Sequence, residues 1–165
     1  MHEATLVVAG GSIPRAERYA AILRAVEHLV PSGTDRIAAM ANVASLLYHS
    51  MPNLNWCGFY RTFGDRLVVG PFHGKPACIE IPIGRGVCGR AALLRRAIVV
   101  EDVTTFPDHI ACDPQSRSEI VVPLVEGDAV IGVLDLDSPI AGRFDDEDAE
   151  FLGRIAATIV ERTGS

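Results

Sequence analysis

At 165 residues, with 48 % hydrophobic and 22 % charged side chains, the sequence has the apolar content of one compact domain and argues against disorder. Fifteen basic against twenty-one acidic side chains leave a net charge of −6 with no basic stripe, which disfavours a nucleic-acid binder. No run approaches the roughly 18 apolar residues of a membrane span, and the opening MHEATLVVAGGSIPR lacks the cationic start and apolar core of a secretory signal, so a soluble cytoplasmic protein is expected.

Residues 1–14 read as an N-terminal extension. After Pro14, Tyr19, Ile22, Val26, Leu29 and Val30 recur at helical spacing and stop at Pro31. Thr34 is expected to cap a second helix, with Asp35 in its first turn; Ile37, Met40, Ala44, Leu47 and Met51 form its apolar stripe, and Pro52 ends it. This helical pair covers 15–51. From Asn55 the period changes to two, placing Trp56, Gly58 and Tyr60 on one strand face and Cys57 and Phe59 on the other. A turn at Gly64-Asp65 leads into a strand over 66–70, and shorter strands are predicted over 79–81 and 97–101. Between those two, the apolar run Ala91–Leu94 predicts a short helix. Strands over 119–125 and 129–137 flank a Gly127-Asp128 turn, so the sheet occupies 55–137. The last helix spans 145–163, with Phe144 as staple, Asp145 as cap, and Leu152, Ile155 and Ile159 as its buried stripe. Hairpin connections dominate this order, which predicts an α+β fold: a central antiparallel sheet of about six strands with helices packed mainly on one face. The polar stretch 102–118 is too long to be an ordinary connection and reads as a lid or active-site loop.

Four cysteines need a reason in a chain expected in a reducing compartment, where structural disulfides are rare. Cys57, between core-like neighbours on a strand, reads as a small buried hydrophobe. Cys78, Cys88 and Cys112 fall in or beside irregular backbone, and Cys88 stands where a glycine loop meets a helix N-terminus, a place that favours a thiolate. Three such thiols point to thiol–disulfide exchange. Zinc is the rival, through His109, Cys112, Cys78 and Cys88, but structural zinc ligands come in pairs two to four residues apart, and Cys78 and Cys88 are not so spaced. Gly84, Gly86 and Gly89 nominally match a phosphate loop without its strand–helix context, so close packing explains them better. On strand 129–137 the two-residue period puts Asp135 and Asp137 on one face, with Glu119 at the start of the neighbouring strand. Facing a pocket, such acids either hold a cation or keep a proton; facing solvent, they do neither. Trp56 and Tyr60 share a strand face and form an aromatic wall for an apolar or methyl-bearing ligand, with Gly58 leaving an opening between them; the bland alternative is a pair of core aromatics.

The stretches NWCGFYR, GPFHGKPAC, IPIGRGVCG, FPDHIACD, SEIVVPL and GVLDLDS resemble those of the free methionine-(R)-sulfoxide reductases, enzymes built on a GAF domain. The resemblance runs from about Asn42 to Phe151, and ordinary GAF sensor domains lack its three-cysteine set. It implies reduction of free L-methionine (R)-S-oxide, regeneration by thioredoxin, a homodimer, and no metal or organic cofactor. By the same resemblance Cys112 is the nucleophile, Cys78 the principal resolving thiol and Cys88 the third redox cysteine. Trp56 packs on the substrate methyl, while Glu119, Asp135 and Asp137 hold the ammonium and polarise the sulfoxide. The competing reading is a small-ligand-binding GAF sensor without catalysis.

Overall fold

The computed structural model describes residues 13–110 and 112–164; the greater part of the expected 1–14 extension lies outside them. In chain order, helix α1 (Arg15–Leu29) is followed by a two-residue strand β1 (Thr34–Asp35) and helix α2 (Arg36–Ser50). Strands β2 (Trp56–Phe63), β3 (Arg66–Gly74) and β4 (Glu80–Pro82) precede helix α3 (Gly86–Leu94) and strand β5 (Ile98–Val100). Strands β6 (Ser118–Glu126) and β7 (Ala129–Ser138), helix α4 (Asp146–Arg162) and a terminal β8 (Thr163–Gly164) complete the chain.

Six strands form one antiparallel sheet in the order β4-β3-β2-β7-β6-β5. Its pleat sorts side chains as the two-residue period predicts. Cys57, Phe59, Ile120, Val122, Leu134 and Leu136 face the main core, where Ile22, Val26, Leu47, Leu152 and Ile155 of α1, α2 and α4 cover them. The opposite face carries Trp56, Tyr60, Val121 and Val133, covered by Val87 and Ala91 of α3. Three helices therefore lie on one face and α3 on the other, an α+β arrangement.

The cap of α4 forms as read: the Asp145 side chain accepts from Asp148 N–H, while the Asp148 side chain accepts from Asp145 N–H. The start of α2 is one residue later than expected. Asp35, not Thr34, accepts from Ala38 N–H, because Thr34 turns its hydroxyl back to the Pro31 carbonyl and its backbone pairs with Thr163. Ile37 is 42 % exposed and is not part of the buried stripe; Ala39, Val43 and Leu46 take that face with Met40, Ala44 and Leu47.

The described residues of the stretch 102–118 are folded. Asp102 caps a short 3-10 turn (Val103–Thr105), Val103 is buried, and Val103 N–H donates to Arg117 O while Arg117 N–H donates to Ser138 O. The segment is thereby strapped across the end of β7.

Candidate active site

The pleat of β2, β6 and β7 gathers the predicted polar residues under α3. Glu119 pairs with Asp137 across β6 and β7, Trp56 pairs with Asp137 across β2 and β7, and Asp135 lies two residues along the same face. These side chains, with Tyr60, Cys88 of α3 and Cys112 of the strapped loop, line a cavity of about 40 Å³. Cys78 completes the constellation through a disulfide to Cys112, with 5.5 Å between their Cα atoms. All eight residues singled out from the sequence meet in one place.

The acids are crowded away from water. Burial and the charge of Asp135 raise the Glu119 carboxyl well above its usual range. Burial and Asp137 push Asp135 up to about 8, and burial with Glu119 raises Asp137 strongly as well. At neutral pH this face therefore stores protons, and it does not reach solvent as a plain strand end would. Asp135 Oδ1 is buried and has no hydrogen-bond partner, so the face offers an acceptor to whatever enters. His109 Nε2 stands 3.8 Å from Glu119 Oε1, too far for a hydrogen bond. Burial lowers the His109 pKa, so this pair carries little charge.

Cys88 corrects one expectation. It sits within the first turn of α3, at the helix N-terminus as expected, but is only 3 % exposed. Burial, then the charges of Asp135 and Glu119, raise its thiol pKa, which outweighs the helix dipole expected to favour a thiolate.

Gly58 corrects another. It opens no gap, since a Cβ there would stand 2.3 Å from Phe72 Cβ and 2.8 Å from Trp56 Cη2. The space is taken by Phe72, whose ring stacks on Trp56 at 5.2 Å between centroids. Close packing does explain the glycine loop: a Cβ on Gly89 would meet Pro82 O at 2.4 Å. Both aromatics of the wall also hold the Cys78 segment. Trp56 Nε1–H donates to Lys75 O at 3.1 Å, and the Tyr60 hydroxyl donates to Cys78 O at 2.9 Å.

Sequence reasoning missed Asn55, Asp113 and Ser116. Asn55 Nδ2 donates to Asp113 Oδ2 and Ser116 Oγ, both at 3.0 Å, while Asn55 N–H donates to Asp137 O. The available signal was polar residues flanking Cys112, but the partner lies more than fifty residues away along the chain.

A GAF domain family model matches residues 15–162. The free methionine-R-sulfoxide reductase of Escherichia coli (strain K12) is 47 % identical over 88 % of this chain and 88 % of its own. That of Saccharomyces cerevisiae is 37 % identical over 96 % of this chain and 92 % of its own. The chain belongs to the free methionine-(R)-sulfoxide reductase family. Among solved structures, the family's enzyme from Neisseria meningitidis in complex with its substrate superposes with a TM-score of 0.89 at 42 % identity, covering 96 % of this chain and 95 % of that one. The Cys78–Cys112 disulfide fits a free methionine-(R)-sulfoxide reductase, an oxidoreductase.

Proposed function

We infer that the chain reduces free L-methionine (R)-S-oxide to L-methionine, with thioredoxin returning it to the dithiol state. The observation that carries this reading is a disulfide, Cys78–Cys112, whose Cys112 lines the same cavity as three proton-holding acids and a tryptophan. The Cys112 thiolate attacks the sulfoxide sulfur, forming a sulfur–sulfur bond, while a protonated acid of the face, Asp137 in this reading, gives its proton to the sulfoxide oxygen. The hydroxyl then passes from the substrate sulfur to the Cys112 sulfur as the sulfur–sulfur bond breaks, so methionine departs and Cys112 is left as a sulfenic acid. The Cys78 thiol then condenses with it, forming the disulfide and releasing water, and an external dithiol restores both thiols by exchange. Cys88 is proposed as the reserve thiol. Its high pKa makes it slow to attack, which suits a secondary role.

Glu119 and Asp135 are the proposed seat of the substrate ammonium, Asp135 through its unpartnered oxygen. Trp56 and Tyr60 would flank the methyl-bearing side chain. An ammonium requirement selects the free amino acid over a peptide. We propose that the chain works as one GAF unit, in the cytoplasm and as a homodimer. Among the described residues, no helix is long and apolar enough to cross a membrane.

The deciding experiment couples the protein to thioredoxin, thioredoxin reductase and NADPH, with free methionine (R)-sulfoxide as oxidant. NADPH consumption matched by methionine release is expected, with the N-acetylated sulfoxide reacting at least about 100-fold more slowly. No consumption would leave the ligand-sensor reading in its place. Equal rates for free and blocked substrates would reject the acids as amine readers.

A further inference from the structure

Within the cavity, Cys88 Sγ and one carboxylate oxygen each from Glu119 and Asp135 lie within 4.8 Å of one another. They come from three separate elements, α3, β6 and β7, and all three side chains are buried. Asp135 Oδ1, the oxygen read above as an ammonium seat, is buried without a hydrogen-bond partner and is thus open to a cation of either kind. An ammonium would satisfy carboxylate oxygens but gains little from a thiol, because sulfur is a weak acceptor. A thiolate flanked by two carboxylates is a donor set for a borderline-soft divalent cation.

We propose that Cys88, Glu119 and Asp135 bind one zinc(II) ion in the cavity. The ion takes three protein ligands and keeps its fourth position open toward the remaining space. Each donor atom needs to move by less than about 1 Å to reach ordinary zinc–sulfur and zinc–oxygen distances. The protons held by the thiol and the carboxyls leave for solvent as the metal enters, and the two positive charges replace them on three acidic groups. Cys78 and Cys112 play no part, being joined to each other, and Cys57 faces the opposite core. The ligand set is therefore distinct from the cysteine–histidine quartet considered from the sequence. The site stands whether or not the chain turns over a sulfoxide; if it does, the ion and the substrate ammonium compete for the same carboxylates.

Cobalt(II) titrated into the full, disulfide-linked protein tests this directly. A near-ultraviolet sulfur-to-cobalt charge-transfer band, saturating at one ion per chain and bleached by zinc(II), is the expected result. Cys88→Ser should lack the band, and Cys57→Ala should keep it. Glu119→Gln and Asp135→Asn should each weaken zinc binding at least about tenfold in competition with a chromophoric chelator. No band with the wild-type protein overturns the proposal even if a variant fails to fold. So does a band that survives in Cys88→Ser or vanishes in a folded Cys57→Ala. Unchanged zinc affinity in both carboxylate variants would remove Glu119 and Asp135 as ligands and overturn it equally.

Discussion

Asp135→Asn should make the protein more stable at neutral pH while costing it function. The Asp135 carboxyl is buried, and burial first, then the charge of Asp137, raises it from 3.8 to about 8. Between those values the folded protein keeps a proton that the unfolded chain has released. Stability is then lost as pH rises through that window, by about 1.4 kcal/mol for each unit. From pH 5 to pH 7 this single carboxyl removes about 3 kcal/mol. Asparagine has nearly the same shape and does not titrate, so the variant lacks that slope. With a urea dependence of about 2 kcal/mol per molar, the two unfolding midpoints should diverge by about 1.5 M over the same range. Glu119, Asp137, Cys88, His109 and Tyr60 face the same cavity. Their own titrations cancel between the two proteins except where they are coupled to Asp135, which trims the divergence to about 1 M. The assay is urea unfolding at pH 5, 6 and 7, followed by circular dichroism with the disulfide intact. Midpoints that stay a constant distance apart would refute the reasoning, because Asp135 would then hold no extra proton in the folded state.

Cys78→Ser is expected to release about one methionine per chain in a single turnover and then stall with thioredoxin. Recycling at the wild-type rate would pass the resolving role to Cys88. Asp137→Asn, in single-turnover kinetics across pH, should lose about 10²–10⁴ in rate as general-acid help is removed, with a smaller change in substrate affinity; an unchanged rate and pH profile would move the acid role to Glu119. Gly58→Ala drives a methyl into Phe72 and Trp56 and should cost about 1–3 kcal/mol, lowering the thermal midpoint by about 3–10 °C. A midpoint unaltered in that variant would mean β3 can retreat from β2 freely.

The elements were legible wherever one local rule decided them. Pleat parity alone put Trp56 and Tyr60 on one face and Cys57 and Phe59 on the other, and it aligned Asp135 with Asp137. The α4 cap needed only the four residues Asp145 to Asp148. The resemblance implied that Cys78 serves Cys112, and the disulfide between them fits it. What stayed hidden was set by partners far along the chain. Thr34 looked like a cap because nothing nearby announced that Thr163 would claim its backbone. Gly58 looked like an opening because a glycine's vacancy is defined by its neighbour, here Phe72 on the next strand. The Cys88 thiol looked activated because its helix was visible and the acids beneath it, contributed by β6 and β7, were not.

The site divides its labour between a stiff part and a movable one. The acids stand on two central strands, paired along their length, where a carboxylate cannot be repositioned without disturbing the sheet. The proposed nucleophile, Cys112, stands on a strapped loop that in the proposed cycle carries sulfur from substrate to Cys78 and back. Asn55 joins the two parts: its side chain holds Asp113 and Ser116 beyond Cys112, and its backbone N–H holds the carbonyl of Asp137. Neither bond involves sulfur, so cleavage of the disulfide removes the covalent tie to Cys78 while leaving the loop anchored beside the acids. In the proposed cycle, which breaks and remakes one covalent link per turnover, that anchor would keep the freed thiolate within reach of the proposed proton donor.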